Sequence, residues 1–315
     1  MYILCFTSDK GDLHTEYVFK EIDSKFSVLT VDTESFGKTW NITIDFANPN
    51  SSSLIYNKEK ILIEEIHSVW WRKPTPVNIK YMKDEMASFV FRESNDTIYG
   101  FLWLLETQGC EVINHPFNNY NASMKPLQFI HANKLNLFLP KTLVTNYPKD
   151  AIDKINKDHC ISKGVSMSWA IENDKNYPIF VKRINQEKIE KIDTLSFCPA
   201  TIQSEIDKKY DVRIVVLKNE VFYFKIEDKN NLLDWRESLY GESIEYTYYE
   251  IDDAFKNKLI DLNKSLSLHF SVFDFVVDKN DKMYFLETNP NGQWLWLDKT
   301  IGYKISKTFA HVLSN

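Results

Sequence analysis

Two acidic residues lie where a sequence seldom places them. Residues 271–297, SVFDFVVDKNDKMYFLETNPNGQWLWL, hold two apolar runs, 272–277 and 283–286, joined by a polar turn at 278–282. That is the pattern of a β-hairpin. Asp274 falls inside the first run and Glu287 closes the second. A buried carboxylate is costly unless it is paired or ligates a metal. Side chains alternate along a strand, so Glu287 and Asn289 share a face, roughly 7 Å apart. A four-residue loop, 279–282, sets Asp274 opposite Glu287, and a one-residue slip would separate them. In that register Asp274, Glu287 and Asn289 form a cluster of hard oxygen ligands suited to Mg²⁺ that bridges substrate phosphates. The plain alternative is a pair of edge carboxylates facing solvent.

Such a cluster calls for cations, and the chain supplies them at intervals. Lys125 sits in the first turn of a helical pattern over 121–136. Lys163 ends a strand-like run, 159–164, that closes on a glycine. Arg213 lies in Lys208-Lys209-Tyr210-Asp211-Val212-Arg213, and Arg236 in Asp234-Trp235-Arg236. Lysine is a compact point charge, whereas arginine grips phosphate or carboxylate with two parallel hydrogen bonds. Each also has a plain reading, as a solvated strand lysine, an edge arginine or half of a local salt bridge. The chain has eight glycines, and neither a Walker P-loop nor a G-x-G-x-x-G dinucleotide motif occurs among them. Four scattered cysteines without C-x-x-C, and seven histidines without ligand spacing, argue against a zinc site and for reduced thiols in a cytoplasm.

An acidic strand running into Asn289-Pro290-Asn291-Gly292 is similar to the metal-binding end of the ATP-grasp fold. The fuller string ETNPNGQWLWL resembles the peptide-modifying ATP-grasp ligases that make graspetides, the microviridin-type and grasp-with-spasm maturases. Further landmarks resemble the same family in the same order: V-W-x-R-x-P at 69–74, P-x-T-L-x-T-N at 140–146, Tyr210-Asp211-Val212-Arg213 and Asp234-Trp235-Arg236. The resemblance implies an α/β (α+β), three-domain ATP-grasp fold with ATP clamped between the central and C-terminal lobes, working as a homodimer with ATP and Mg²⁺. It assigns the metal to Asp274, Glu287 and Asn289. It assigns the nucleotide phosphates to Lys125 and Lys163, and the hinge that reads adenine and ribose to Gln203, Glu205, Ile206 and Asp207. Many relatives carry Q-E-Y where this chain has Gln203-Ser204-Glu205, so Glu205 and Asp207 are both candidates for the ribose, with Asp207 preferred. Lys163, Arg213 and Arg236 make the catalytic set.

The implied reaction is ATP-dependent. An Asp or Glu side chain of a precursor peptide, which has a leader and an acidic, Thr-rich core, becomes an acyl phosphate. A Ser/Thr hydroxyl or Lys amine of the same peptide then displaces phosphate to close a macrocycle. A carboxylate is a poor acyl donor until phosphorylation supplies a leaving group, so the enzyme's task is positioning and charge neutralisation. The absence of any Ser/His/Asp or Cys/His arrangement agrees with that. The alternatives are an ATP-grasp ligase that acts on free amino acids or a protein tail, and a nucleotide-binding protein without turnover.

The elements that must position these groups follow from the patterns. Residues 1–116 read as an α/β domain, with strands at 2–7, 27–31, 40–46, 67–73 and 111–115. A long amphipathic helix over 83–107 carries Phe89, Ile98, Phe101, Leu102 and Leu105 and ends at Gly109, a helix-stop signal. Residues 117–200 read as a small lid domain. Residues 201–315 read as the metal-bearing domain: a meander at 212–226, a helix at 251–269, the hairpin and a closing helix at 301–313. A chain of 315 residues with 43% hydrophobic and 26% charged residues suits several such cores. A net charge of −6 does not suggest bulk nucleic-acid binding. No apolar run is long enough to span a bilayer, and the N-terminus reads as a strand, not a signal peptide.

Overall fold

A central strand that is apolar on both faces organises the first part of the chain. In the structure, a computed structural model, all residues are described except 9–10, 80–83, 167–168, 173–174, 179 and 239–242. Tyr2–Phe6 is flanked in parallel by Ser27–Val31 and Ile66–Trp71, and Glu111–Ile113 pairs on the far side of the latter. Ile3, Leu4, Cys5 and Phe6 are wholly buried, as a parallel strand covered on both faces requires. The helix Asp84–Thr107 buries Ile98, Phe101, Leu102 and Leu105 but leaves Phe89 56% exposed. Its expected start at Lys83 lies outside the described residues. The helix stops at Gly109, whose φ is +86°. A second, antiparallel sheet of Trp40–Thr43, Ser53–Tyr56 and Glu59–Leu62 joins the same core.

The last residues cluster with this unit. By contacts the chain forms one unit of Met1–Tyr120, Leu268–Phe270 and Asn291–Asn315, and a second of Asn121–Ser267 and Ser271–Pro290. The closing helix, Lys304–Ser314, lays Phe309 on Trp70 (4.7 Å between rings) and on Trp294 (5.7 Å). Buried Asp298 caps it, accepting from Ile305 N and Ser306 N. The segment 291–295 is held by a buried polar network. Arg72 donates from Nε to Asp12 (2.8 Å) and from Nη1 to the carbonyls of Asn291 (3.0 Å) and Gly292 (3.2 Å). Asp12 Oδ1 meets His14 Nδ1 at 2.7 Å, and His14 Nε2 accepts from Trp294 N and Leu295 N at 3.1 and 3.2 Å. An imidazole nitrogen that accepts two N–H groups carries no proton, so His14 is neutral with its proton on Nδ1. Two motifs far apart in sequence, V-W-x-R-x-P and N-G-Q-W, thus complete one another.

Among the described residues the second unit contains two larger sheets, besides the antiparallel pair Trp169–Glu172 and Lys175–Pro178. One runs Lys182–Arg183, Cys160–Lys163, Ala200–Ser204, Thr142–Thr145. Ala200–Ser204 pairs with both Thr142–Thr145 and Cys160–Lys163, so this sheet runs on to residue 204. The other sheet runs Ile244–Tyr249, Glu220–Asp228, Lys208–Leu217, Phe270–Asp278, Met283–Asn289. Ile244–Tyr249 extends the expected meander by one strand. The helix Asp253–Ser265 packs on this sheet, shorter at both ends than its apolar spacing suggests. Met283–Asn289 is an edge strand, and the helix Lys125–Lys134 covers it, the usual remedy for an unpaired edge. There Gln128 donates from Nε2 to Thr288 O (2.8 Å) and accepts from Thr288 N (2.9 Å) at Oε1. Its amide thus replaces a strand partner.

Candidate active site

The hairpin places Asp274 opposite Glu287, by a route other than the expected one. Val277 pairs with Met283 and Phe275 with Phe285, which is one residue out of the register that a four-residue loop gives. A bulge at Leu286 then restores Asp274 to Glu287 and sets Val272 against Asn289. Bulges of this kind re-aim side chains beside active sites.

Around this pair the second unit builds a cavity of about 90 Å³, lined by both carboxylates, Lys125, Lys163, Gly164, Asp211, Asp234 and Arg236, with Val181, Leu233, Trp235 and Leu286 as its apolar wall. Lys125 lies one turn before Gln128 on the covering helix, on the same face, and its Nζ is 3.2 Å from Glu287 Oε2. Arg213 donates to Asp274 Oδ1 at 2.7 Å. Asn289 Nδ2 bridges Asp274 Oδ2 (2.9 Å) and Glu287 Oε1 (3.4 Å). Ligation of a cation by Asn289 takes the other end of that amide, a half-turn away.

The electrostatics of the two carboxyls diverge. Burial pushes Glu287 up, but Lys125, Lys163 and Arg236 outweigh it and hold the group down at about 2. Asp274 is pushed up by burial and by the Glu287 charge, against Arg213 and Arg236. Two adjacent carboxylates of which one resists ionisation are a donor set that a hard divalent cation stabilises. Among the described residues no group of three or more His, Cys, Asp or Glu side chains is placed to hold a metal. Two carboxylates with an asparagine fit Mg²⁺, which keeps waters and takes phosphate oxygens for its remaining positions.

Lys163 and Arg236 are each held by a neighbour. Lys163 donates to Gln203 Oε1 (3.2 Å), and Gln203 Nε2 donates to Thr142 Oγ1 (2.7 Å). Burial pushes the Lys163 ammonium down to about 8. Asp234 grips Arg236 through both oxygens at 2.8 and 2.6 Å, which keeps the guanidinium charged. Arg236 is therefore both half of a local salt bridge and part of the cavity wall.

The residues expected at the hinge lie off the cavity. Gln203 is buried, with its side chain committed to Lys163 and Thr142. Glu205 is paired with Arg183 at 2.6 Å, and Asp207 with Lys279 at 2.8 Å. None of Gln203, Glu205, Ile206 and Asp207 lines the cavity. Two carboxylates of the cavity, Asp211 and Asp234, went unassigned in the sequence. The signal for Asp211 is strand alternation, which sets it on the face of Arg213, two residues on.

Residues 2–118 match the family model of the MvdD pre-ATP grasp domain. No curated protein matches the chain in sequence. Among solved structures it is similar to a Chryseobacterium gregarium RiPP-associated ATP-grasp ligase in complex with ADP and a leader and core peptide, at 24% identity and TM-score 0.85, covering 99% of this chain and 96% of that one. It is similar to macrocyclase MdnC of Microcystis aeruginosa MRC, bound with precursor peptide MdnA, at 21% identity, 99% coverage of both chains and TM-score 0.84. It is also similar to macrocyclase MdnB of the same organism, at 26% identity, 99% and 98% coverage and TM-score 0.79. The chain has the ATP-grasp fold of these proteins. Its amino-terminal unit is of the MvdD kind, and the resemblance to the graspetide maturases read from the sequence is borne out.

Proposed function

We propose that this protein phosphorylates Asp or Glu side chains of a ribosomal precursor peptide with ATP and condenses them with Ser/Thr hydroxyls or Lys amines of the same peptide, closing ω-ester or ω-amide macrocycles. One observation carries the reading: in a chain with an MvdD-type amino-terminal domain, Lys125, Lys163 and Arg236 line one cavity with the facing carboxylates Asp274 and Glu287. The two larger sheets of the second unit are taken as the lobes that grasp the nucleotide, within a chain divided at 1–116, 117–200 and 201–315.

Each group has a task set by its chemistry. Asp274, Glu287 and Asn289 would hold Mg²⁺, which offsets phosphate charge when bound. Lys125 and Lys163 neutralise the phosphates, and Arg213 and Arg236 stabilise charge on the group in transfer. The backbone at Glu205 and Ile206 reads adenine, and Asp207, the more exposed of the two hinge carboxylates, holds the ribose. Its exchange from Lys279 to a ribose hydroxyl costs little, because exposed ion pairs are weak. The protein would work in the cytoplasm as a homodimer, on a precursor with a leader and an acidic, Thr-rich core. Among the described residues no helix is long and apolar enough to cross a membrane.

The test is intact mass spectrometry of a candidate precursor, sought beside the gene as a small reading frame with a Thr- and Glu/Asp-rich carboxy-terminal core, incubated with Mg-ATP. Loss of one water mass per link, dependent on ATP, is the expected result. An unchanged peptide with ADP release on free amino acids would replace this reading with that of an amino-acid ligase.

A further inference from the structure

Four carboxylates line the cavity, and three of them are committed. Asp234 gives both oxygens to Arg236. Asp274 accepts from Arg213 and Asn289, and Glu287 meets Lys125 and Asn289. Asp211 differs. Its Oδ2 meets Lys208 Nζ at 2.6 Å, and its Oδ1 takes no hydrogen bond among the described residues. It is only 7% exposed, yet it belongs to the cavity wall. Lys208 is itself tied to the carbonyl of Leu233 at 3.4 Å, so the carboxylate is held from one side and open on the other.

We propose that Asp211 is the general base of acyl transfer, taking the proton of the hydroxyl that attacks the acyl phosphate. The inference rests on the function proposed above and adds a residue to it. The attacking oxygen forms a bond to the acyl carbon, and the bond from that carbon to the phosphate oxygen breaks, with its electron pair leaving on phosphate. The hydroxyl proton passes to Asp211, which later releases it to phosphate or water. The first half-reaction needs no such group, because a carboxylate attacking ATP has no proton to lose. Burial pushes the Asp211 carboxyl up to about 6, against the pull of Lys208. The group stays ionised at neutral pH while being a stronger base than an exposed aspartate. Asp211 lies on the strand Lys208–Leu217, apart from the hairpin that carries the proposed metal donors.

The experiment separates the half-reactions. Wild type and Asp211→Asn are incubated with the precursor and Mg-ATP, with and without hydroxylamine, which intercepts an acyl phosphate as a hydroxamate without help from a base. Asp211→Asn is expected to form rings on the order of 10²-fold more slowly while keeping hydroxamate formation and ADP release within a few-fold of wild type. Asp211→Glu is expected to restore part of the ring-forming rate. The wild-type ring-forming rate is expected to rise with pH through about 6 and the Asn variant to lack that limb. Rings at the wild-type rate in Asp211→Asn, or loss of hydroxamate along with rings in a variant that folds, would overturn the assignment. Should the Asn variant not fold, the wild-type pH profile and the Glu variant decide. No hydroxamate and no ADP release with wild type would instead sink the parent reading, and the base with it.

Discussion

Two clusters of buried charge, one in each unit, use similar residues to different ends. In the first unit Arg72 Nε and Nη1, Asp12 and His14 bond to one another and to the backbone of residues 291–295. In the second, Lys125, Arg213, Asp274, Glu287 and Asn289 pair among themselves, and three of them line a cavity. The first arrangement fixes a chain segment. The second holds charge that a phosphate or a cation can reorganise. A buried arginine is therefore not a functional signal in itself; what its neighbours leave open is.

The sharpest way to break the comparison is to cut each cluster once. Arg72→Met strands the Asp12 carboxylate and the carbonyls of Asn291 and Gly292, so it is expected to cost about 3–5 kcal/mol of stability. Urea denaturation measures it, and a loss under about 1 kcal/mol would mean the network is no anchor. Glu287→Gln should do the reverse. It removes a charge from the cavity wall but keeps the shape, so thermal unfolding should hardly move while ring formation falls on the order of 10²–10³-fold. Retained ATP-dependent turnover in both Glu287→Gln and Asp274→Asn would refute the metal assignment.

Gln128→Ala sharpens the link between the covering helix and the edge strand. It leaves Thr288 N–H and C=O without their partner, at about 1–3 kcal/mol, and lets Lys125 drift from Glu287. KM for ATP is expected to rise with stability already lowered; an unchanged KM would show that Lys125 is placed by other contacts. The smallest effect is a pH dependence in the first unit. Burial, with Arg72 and Lys73, pushes the His14 imidazole below its usual 6.5. The unfolded chain then takes up a proton before the folded one does. Stability from His14 is complete above about pH 6.5 and falls as pH drops below it. His14→Gln should flatten the decline in melting temperature between neutral and mildly acid pH, and an equally steep decline would remove His14 as its source.

Much of the site was legible because its signals are local. An acidic residue in each arm of an apolar hairpin, a lysine at the start of a helix and another at the end of a strand can be read from type and period. Less local features were misread or invisible. Phe89 fits the helical period but is exposed, since periodicity says which residues share a face and not whether that face is covered. The bond from Lys163 to Gln203 was invisible, because it depends on the strand Ala200–Ser204 pairing beside Cys160–Lys163.

The hairpin shows where the division falls. Composition and alternation alone determined that Asp274, Glu287 and Asn289 belong to two adjacent strands. Their register was decided by the fold: the turn is one residue longer than the spacing implies, and the bulge at Leu286 cancels the slip. Pairing energies depend on which face is buried and on the neighbouring strand, neither of which a single run of residues contains. In the same way, the sequence determined that residues 289–297 are unusual. Only the tertiary structure decided that Arg72 and His14 claim the backbone of 291–295, because a hydrogen bond across 219 positions has no local signature.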